Sequence, residues 1–145
     1  MDINVLINSC SEMSKRKTGA IIVLQKNNSL DFTLNESNFT QIKLTPQVLE
    51  SIFFKNSPLH DGAILIENNQ IIATRVILPV SDSPNIPSRY GLRHRAALGI
   101  SEKTDSLVIV ISEQTGKLVY VKNGEFIKIK SPEELKEKLI QDLNE

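Results

Sequence analysis

Apolar residues along the chain occur either at helical spacing or in short unbroken runs, which predicts a protein of mixed helices and strands. Helical spacing marks residues 3–15 and a segment that starts at Thr45-Pro46, where an N-cap residue precedes a proline in the first turn. A capping box at Ser131 opens a third helix. That helix is predicted to bury Leu135, Leu139 and Leu143.

The apolar runs predict six strands, with residues 25–40 irregular and of weak strand character at best. Asn68-Asn69 and Asn123-Gly124 are predicted hairpin turns, because these residues tolerate positive φ. A short helix is predicted from Arg93 to about Ser101. Hairpins are frequent and no strict βαβ order appears, so the pattern favours an α+β fold with a central mixed β-sheet flanked by helices. The predicted strands are 20–24, 62–67, 70–78, 106–111, 117–121 and 125–129.

Length and charge narrow the class of protein. A chain of 145 residues suits one domain, residues 1–145, and its 17 basic and 17 acidic residues cancel. Without a global field we expect neither nucleic acid nor membrane as a partner, and any anion site must be local. The one cysteine, Cys10, can form no internal disulfide and fits a cytoplasmic location. No apolar run approaches the roughly 20 residues that span a bilayer.

Three polar clusters carry the candidate chemistry. His60-Asp61-Gly62-Ala63 places a carboxylate and a glycine before a buried strand, where a ligand can approach the backbone. Taken alone this segment favours a simple turn, and the second cluster changes that balance by supplying cations. Arg93-His94-Arg95 at a helix start favours a phosphate-binding site over a solvated surface helix. Guanidinium groups form paired hydrogen bonds with phosphate, and the free amides at a helix start add partial positive charge. Ser112-Glu113 ends an apolar strand, although Ser, Thr and Gly there also suit a plain turn.

Other chemistries fit less well. Two histidines and one cysteine leave a zinc site short of ligands, and no glycine-rich P-loop is present. A Ser112, His94 and Asp61 hydrolase is disfavoured, because the flanking arginines oppose the imidazolium that a general base must form. Cations beside a carboxylate instead suggest metal-assisted phosphoryl or nucleotidyl transfer.

Together the clusters resemble the diadenylate cyclase (DAC) domain, which condenses two ATP into cyclic di-AMP. The matching segments are Asp61-Gly62-Ala63, Arg93-His94-Arg95-Ala96-Ala97 with Gly99-Ile100-Ser101-Glu102, and Ser112-Glu113 with Thr115-Gly116. Lesser matches are Lys17-Thr18-Gly19-Ala20, Pro58-Leu59-His60 and Leu78-Pro79. The resemblance runs from about residue 10 to 130, and three segments in order at compatible spacing are highly specific.

The resemblance implies roles for individual residues. Asp61 would activate the ribose 3′-hydroxyl, directly or through Mn²⁺ or Mg²⁺, and Arg93 would stabilise the departing pyrophosphate. Candidate metal ligands are His60, Glu113 and, in the same segment, Gln114. Gly62 and Leu78 would border the adenine, whereas Arg95 could support the site from behind. The full implied ATP-binding set is Gly62, Ala63, Ile77, Leu78, Leu92, Arg93, His94, Arg95 and Ser112.

Three residues depart from the family pattern. Leu92 replaces a usual threonine, Gln114 a common second glutamate, and Ile77 a frequent aromatic. None of these touches Asp61, so activity is still expected. A catalytically inactive domain that binds or senses ATP or cyclic di-AMP is the alternative, and a basic surface that docks an acidic partner is a third.

The resemblance also implies an assembly. The product contains two 3′–5′ bonds, yet the chain carries one Asp61 segment and one Arg93 segment, so two chains must meet face to face as a homodimer. Many short family members carry membrane helices before the catalytic domain. This chain is therefore expected to be a soluble fragment of a protein tethered to the inner face of the cell membrane.

Overall fold

The computed structural model describes residues 2–34, 37–57 and 61–144, and within them the chain forms four α-helices and seven β-strands. The helices are α1 (Ile3–Lys15), α2 (Pro46–Phe53), α3 (Leu92–Lys103) and α4 (Pro132–Leu143). The strands are β1 (Ala20–Leu24), β2 (Asn38–Lys43), β3 (Ala63–Glu67), β4 (Gln70–Val76), β5 (Leu107–Ile111), β6 (Leu118–Lys122) and β7 (Glu125–Lys128). No helix of the described residues is both long and apolar enough to cross a membrane.

The local signals act as predicted at the helix starts and hairpin turns. The side chains of Thr45 and Ser131 each accept a hydrogen bond from a first-turn amide, so both caps are confirmed. Asn68 and Asn69 both have positive φ and join β3 to β4. Asn123 and Gly124 do the same between β6 and β7.

All seven strands form one sheet in the order β2-β4-β3-β1-β5-β6-β7. Only the β1–β3 pair is parallel, and every other neighbouring pair is antiparallel. The predicted α+β fold with a central mixed sheet flanked by helices is therefore confirmed.

Two apolar cores form because the buried strands alternate their side chains between the two faces of the sheet. On β1, Ile22 and Leu24 join the core shared with α1, α2 and α4, while Ile21 and Val23 join the core beneath α3. This double burial explains why β1, β3 and β5 appear in the sequence as unbroken apolar runs.

The strand directions bring four chain segments to one end of the sheet. β1 and β3 are parallel, so their amino-terminal ends meet there. β4 is antiparallel to β3, and β5 is antiparallel to β1, so their carboxyl-terminal ends arrive at the same place. Residues that precede β3 therefore lie beside residues that follow β4 and β5.

The sequence prediction fails at two places in the sheet. β2 was not predicted, because Phe39 and Ile42 are exposed on an edge strand and no buried face marks it; backbone pairing with β4 creates it. β4 ends at Val76 and not at Leu78. A bulge lies between the Ala63 and Leu65 pairings, and Arg75 takes a positive φ of 54°, which turns the strand away.

A buried polar cluster joins α4 to the sheet. The hydroxyl of Tyr120 donates a 2.6 Å hydrogen bond to Asp142, and the ammonium of Lys122 donates one of 2.9 Å. Burial alone would raise the pKa of Asp142, but these two hydrogen bonds and the charge of Lys122 lower it below its ordinary value of 3.8. The anion is therefore the form that stabilises the fold.

Replacing Asp142 by Asn should lower the free energy of unfolding by about 1–2 kcal/mol near neutral pH. Because the folded-state pKa is lowered, this contribution is present above the ordinary pKa of 3.8 and disappears as the pH falls through the folded-state value. Urea unfolding of both proteins across this pH range checks the sign. Glu137→Gln removes an exposed carboxylate from the same helix and serves as the control; equal losses in both variants would contradict the prediction.

Candidate active site

A cavity of about 840 Å³ opens at the end of the sheet where the four strand ends meet. The start of α3 and the segment from Ser88 to Gly91 complete its wall. Most of the residues expected from the sequence to act at the site line this one cavity. They are Asp61, Gly62, Ile77, Leu78, Leu92, Arg93, His94, Ser112, Glu113 and Gln114.

Two of the expected residues that the structure describes, Ala63 and Arg95, are not among the cavity lining. Ala63 is fully buried in the sheet, where it pairs with Val76. Arg95 is half-buried on α3, and its carbonyl accepts a 2.9 Å hydrogen bond from the amide of Ser81. His60 lies outside the described residues, so its expected role as a metal ligand remains a prediction.

Asp61 is placed at the cavity by the glycine that follows it. Gly62 has a φ of +82°, a conformation that L-residues rarely adopt. A Cβ at this position would also lie 2.9 Å from the carbonyl carbon of Arg75 and 3.0 Å from the oxygen of Val76. Gly62 therefore lets the chain enter β3 in close contact with the β4 bulge.

Arg93 and Glu113 form an ion pair inside the cavity. The Arg93 Nη1 lies 3.5 Å from the Glu113 Oε1, and the side chain of Arg93 is 27% exposed whereas that of Glu113 is 61% exposed. The guanidinium thus comes from the first turn of α3, and the carboxylate from the turn after β5. A partly exposed guanidinium has more donors than one carboxylate can use, so the pairing is compatible with an anionic ligand.

His94 is buried under an aromatic cluster that the sequence analysis did not identify. Its ring stacks on Tyr90 with centroids 4.3 Å apart and planes 5° apart, and Phe126 contacts Tyr90 edge-on at 4.8 Å. Burial lowers the pKa of His94, and the charges of Arg93 and Arg89 lower it further. The imidazole is therefore neutral near pH 7, in agreement with the sequence argument that neighbouring arginines oppose an imidazolium.

Ser112 organises the turn that carries Glu113 and Gln114. Its hydroxyl accepts hydrogen bonds of 3.2 Å from the amides of Gln114 and Thr115, and its carbonyl accepts one of 2.8 Å from Gly116. The predicted turn in this segment is thus confirmed, and Ser112, Glu113 and Gln114 also line the cavity. A hydroxyl that accepts bonds keeps its own hydrogen as a donor, so Ser112 can also contact a phosphate.

Exposed apolar side chains also line the cavity. Ile77, Val80 and Leu92 line the cavity yet are 63%, 51% and 71% exposed. Large side chains exposed together around a cavity are typical of a surface that a ligand or another protein covers. Tyr90 and Val80 were not singled out in the sequence, because neither belongs to a polar cluster.

Two carboxylates, Asp61 and Glu113, line the cavity and could hold a divalent cation. Mg²⁺ and Mn²⁺ favour oxygen ligands and are commonly bound by one or two carboxylates together with substrate phosphates. Within residues 2–34, 37–57 and 61–144 no three His, Cys, Asp or Glu side chains form a metal-binding group. The donors present therefore fit a cation that a polyphosphate helps to hold.

Comparison with known proteins agrees with this geometry. Residues 7–126 match the sequence model of the DAC family, described as "DisA bacterial checkpoint controller nucleotide-binding". A diadenylate cyclase from Listeria monocytogenes is 43% identical over 135 residues, which cover 93% of this chain and 50% of that protein. The cyclic di-AMP synthase CdaA of Bacillus subtilis is 39% identical over 137 residues, covering 94% and 50%.

Solved structures show the same fold. A double mutant of DacA from Staphylococcus aureus superposes with a TM-score of 0.93 at 35% identity and covers 97% of this chain and 94% of that one. A hypothetical membrane spanning protein from Bacillus cereus superposes with a TM-score of 0.85 at 39% identity, covering 88% and 63%.

The chain spans about half the length of the first two curated relatives, at 50% of each. The family match nevertheless covers most of the chain and includes all three polar clusters, since it extends from residue 7 to residue 126. The resemblance inferred from the sequence is therefore confirmed: the chain belongs to the DAC family of nucleotide-binding domains.

Proposed function

We propose that the cavity binds ATP and that two such domains condense two ATP into cyclic di-AMP and two pyrophosphates. One observation carries the proposal: a carboxylate, Asp61, shares a single 840 Å³ cavity with the anion-binding side chains of Arg93 and Ser112. The names of relatives at about 40% identity, diadenylate cyclase and cyclic di-AMP synthase, support the same activity.

The proposed reaction is an in-line transfer at each α-phosphate. The ribose 3′-hydroxyl of one ATP loses its proton toward Asp61 while its oxygen bonds to the α-phosphorus of the other ATP. The bond between the α-phosphorus and the bridging oxygen breaks, and pyrophosphate leaves with the electron pair. Arg93 stabilises the charge that develops on the phosphates, because its guanidinium lies at the cavity and is already oriented.

A divalent cation, Mn²⁺ or Mg²⁺, would be held by Asp61 and Glu113 together with the triphosphate. The cation supplies charge neutralisation and lowers the pKa of a bound hydroxyl. For this role Glu113 has to share its carboxylate between the cation and Arg93. Gln114 lies in the same turn and offers an amide oxygen as a further ligand.

The adenine would lie against the apolar rim. Ile77 and Leu78 follow the β4 bulge, and Leu92 begins α3 across the cavity. Ile77 and Leu92 are aliphatic where the family pattern usually has an aromatic and a threonine. The base is therefore held by aliphatic contact in this protein, and the phosphates by Arg93, His94 and Ser112.

Neutral His94 would donate a hydrogen bond to phosphate and not a charge. Its stacking on Tyr90 fixes the ring plane, and a fixed donor loses little freedom when the ligand binds. The positive charge of the site thus comes from Arg89, Arg93 and the cation, which leaves binding insensitive to histidine protonation near pH 7.

A homodimer would complete the active site. Each chain supplies one Asp61 and one Arg93. The product contains two 3′–5′ bonds, each from the 3′-hydroxyl of one nucleotide to the α-phosphate of the other, so two chains are needed. Face-to-face packing of two cavities would also cover the exposed side chains of Ile77, Val80 and Leu92.

The proposed location is the cytoplasm, where ATP is available. We further propose that this domain is the catalytic part of a membrane-anchored protein, since the chain matches about half of each curated relative and one neighbour is described as membrane spanning.

Asp61→Asn should abolish cyclic di-AMP formation, with a loss of roughly 10²- to 10⁴-fold, because the amide cannot accept the hydroxyl proton. The purified protein is incubated with ATP and Mn²⁺ or Mg²⁺, and nucleotides are resolved by mass-detected chromatography. Asp82→Asn removes an exposed carboxylate outside the cavity and should keep full activity. Binding of ATP by the wild type without product in either metal would refute the cyclase and favour a sensing domain.

The specific activity should rise with protein concentration at low concentration, because only the dimer contains a complete site. Sedimentation of the protein with a non-hydrolysable ATP analogue should show dimers over the same range. A specific activity that stays constant while the protein sediments only as a monomer would exclude the face-to-face arrangement.

The pKa of His94 should lie below the ordinary value of 6.5, and Arg89→Gln should raise it part of the way back. Because the unfolded chain takes up its proton at the ordinary value, the free energy of unfolding should decrease as the pH falls below 6.5. Two-dimensional NMR of the imidazole resonances measures the pKa, with His94→Gln used to assign the signal. A pKa above 6.5 in the folded protein would show that the imidazole is a phosphate-binding cation after all.

A further inference from the structure

Gly19 immediately precedes β1 and is buried. An ideal Cβ built on it would be 2.8 Å from the Cζ and 2.9 Å from the Nη1 of Arg93. The same atom would be 3.0 Å from the Cβ of Glu113. The space that a side chain would need at this position is occupied by the two residues of the cavity's ion pair.

The strand register explains this proximity. β1 pairs with β5 so that Ala20 faces Ile111, which places Gly19 opposite the turn that begins at Ser112. Arg93 reaches across this junction from α3 to place its Nη1 3.5 Å from Glu113. The absence of a side chain at Gly19 leaves the space that the guanidinium of Arg93 occupies beside that turn.

The backbone gives no other reason for a glycine here. Among the described glycines, only Gly62, Gly116 and Gly124 have positive φ, so alanine can adopt the conformation of Gly19 without strain. The contacts that exclude a methyl group are chiefly with the end of a long side chain and not with backbone atoms. A methyl group would therefore displace the guanidinium and leave the fold in place.

We propose that Gly19 is a positioning residue, which seats the guanidinium of Arg93 against Glu113 at the phosphate-binding end of the cavity. The identity of the anion rests on the proposed function. The coupling between Gly19 and Arg93 rests on their packing alone. It assigns a role to the Lys17-Thr18-Gly19-Ala20 segment, which contributes no lining residue of its own.

The test is a double-mutant cycle of Gly19→Ala and Arg93→Ala, which yields four proteins including the wild type. Thermal unfolding is measured without nucleotide, and the affinity for a non-hydrolysable ATP analogue is measured by calorimetry. In the Arg93→Ala background the contacts with the guanidinium are gone and only the 3.0 Å approach to the Cβ of Glu113 remains, so the methyl group should be better tolerated there. The change in melting temperature caused by Gly19→Ala should therefore be less favourable in the wild-type background than in the Arg93→Ala background, by about 2–4 °C.

The affinity should show the same coupling. Gly19→Ala should weaken analogue binding by roughly tenfold when Arg93 is present, which is the scale of one charge-assisted hydrogen bond. It should cause no further loss once Arg93 is already alanine. A conventional structural glycine would lower the melting temperature equally in both backgrounds, and that result would overturn the proposal.

Gly91→Ala is the matched control, since no atom lies within 4 Å of a Cβ at that position. Its effect on the melting temperature should be the same with and without Arg93. If the wild type binds no ATP analogue while the thermal coupling of Gly19 and Arg93 persists, the proposed function fails and the packing inference stands. If the analogue binds and Gly19→Ala weakens binding equally in both backgrounds, the packing inference fails and the function stands.

Discussion

The pairing of β1 with β3 on one side and with β5 on the other is the constraint on which the rest of the structure depends. β1 is parallel to β3 and antiparallel to β5, and its side chains are buried on both faces. Because the register of a strand with two buried faces is fixed by packing, the ends of these strands cannot slide relative to one another. The position of Gly19 opposite the Ser112 turn follows from this register.

The cavity is formed where these fixed strand ends leave room for a ligand. Asp61 enters from the segment before β3, and Glu113 from the turn after β5, while α3 contributes Arg93 from its first turn. Each of these side chains therefore comes from a different part of the chain: Asp61 and Glu113 lie next to ends of β3 and β5, and Arg93 lies in the first turn of α3. Such support suits a site whose chemistry requires orientation of phosphates more than a strong nucleophile in the protein.

Two nitrogen-bearing side chains of the site differ in charge: the imidazole of His94 is neutral near pH 7, and the guanidinium of Arg93 pairs with Glu113. Burial and the charges of Arg93 and Arg89 lower the pKa of His94 and keep it neutral near pH 7, with its ring stacked on Tyr90, while the guanidinium of Arg93 lies beside Glu113. Burying the histidine avoids a third like charge beside Arg89 and Arg93, which would repel both. The exposed side chains of Ile77, Val80 and Leu92 add an apolar rim to the same cavity.

The sequence by itself determined the family, most of the elements and ten of the residues that line the cavity. Capping residues, hairpin turns and apolar runs are local signals, so Thr45, Ser131 and Asn123-Gly124 could be interpreted without the fold. Only the tertiary structure showed the exposed edge strand β2 and the burial of His94 beside Phe126, because both depend on residues distant in sequence. The contact between Gly19 and Arg93 belongs to the same class, since strand register and a crossing helix bring together residues that no spacing along the chain connects.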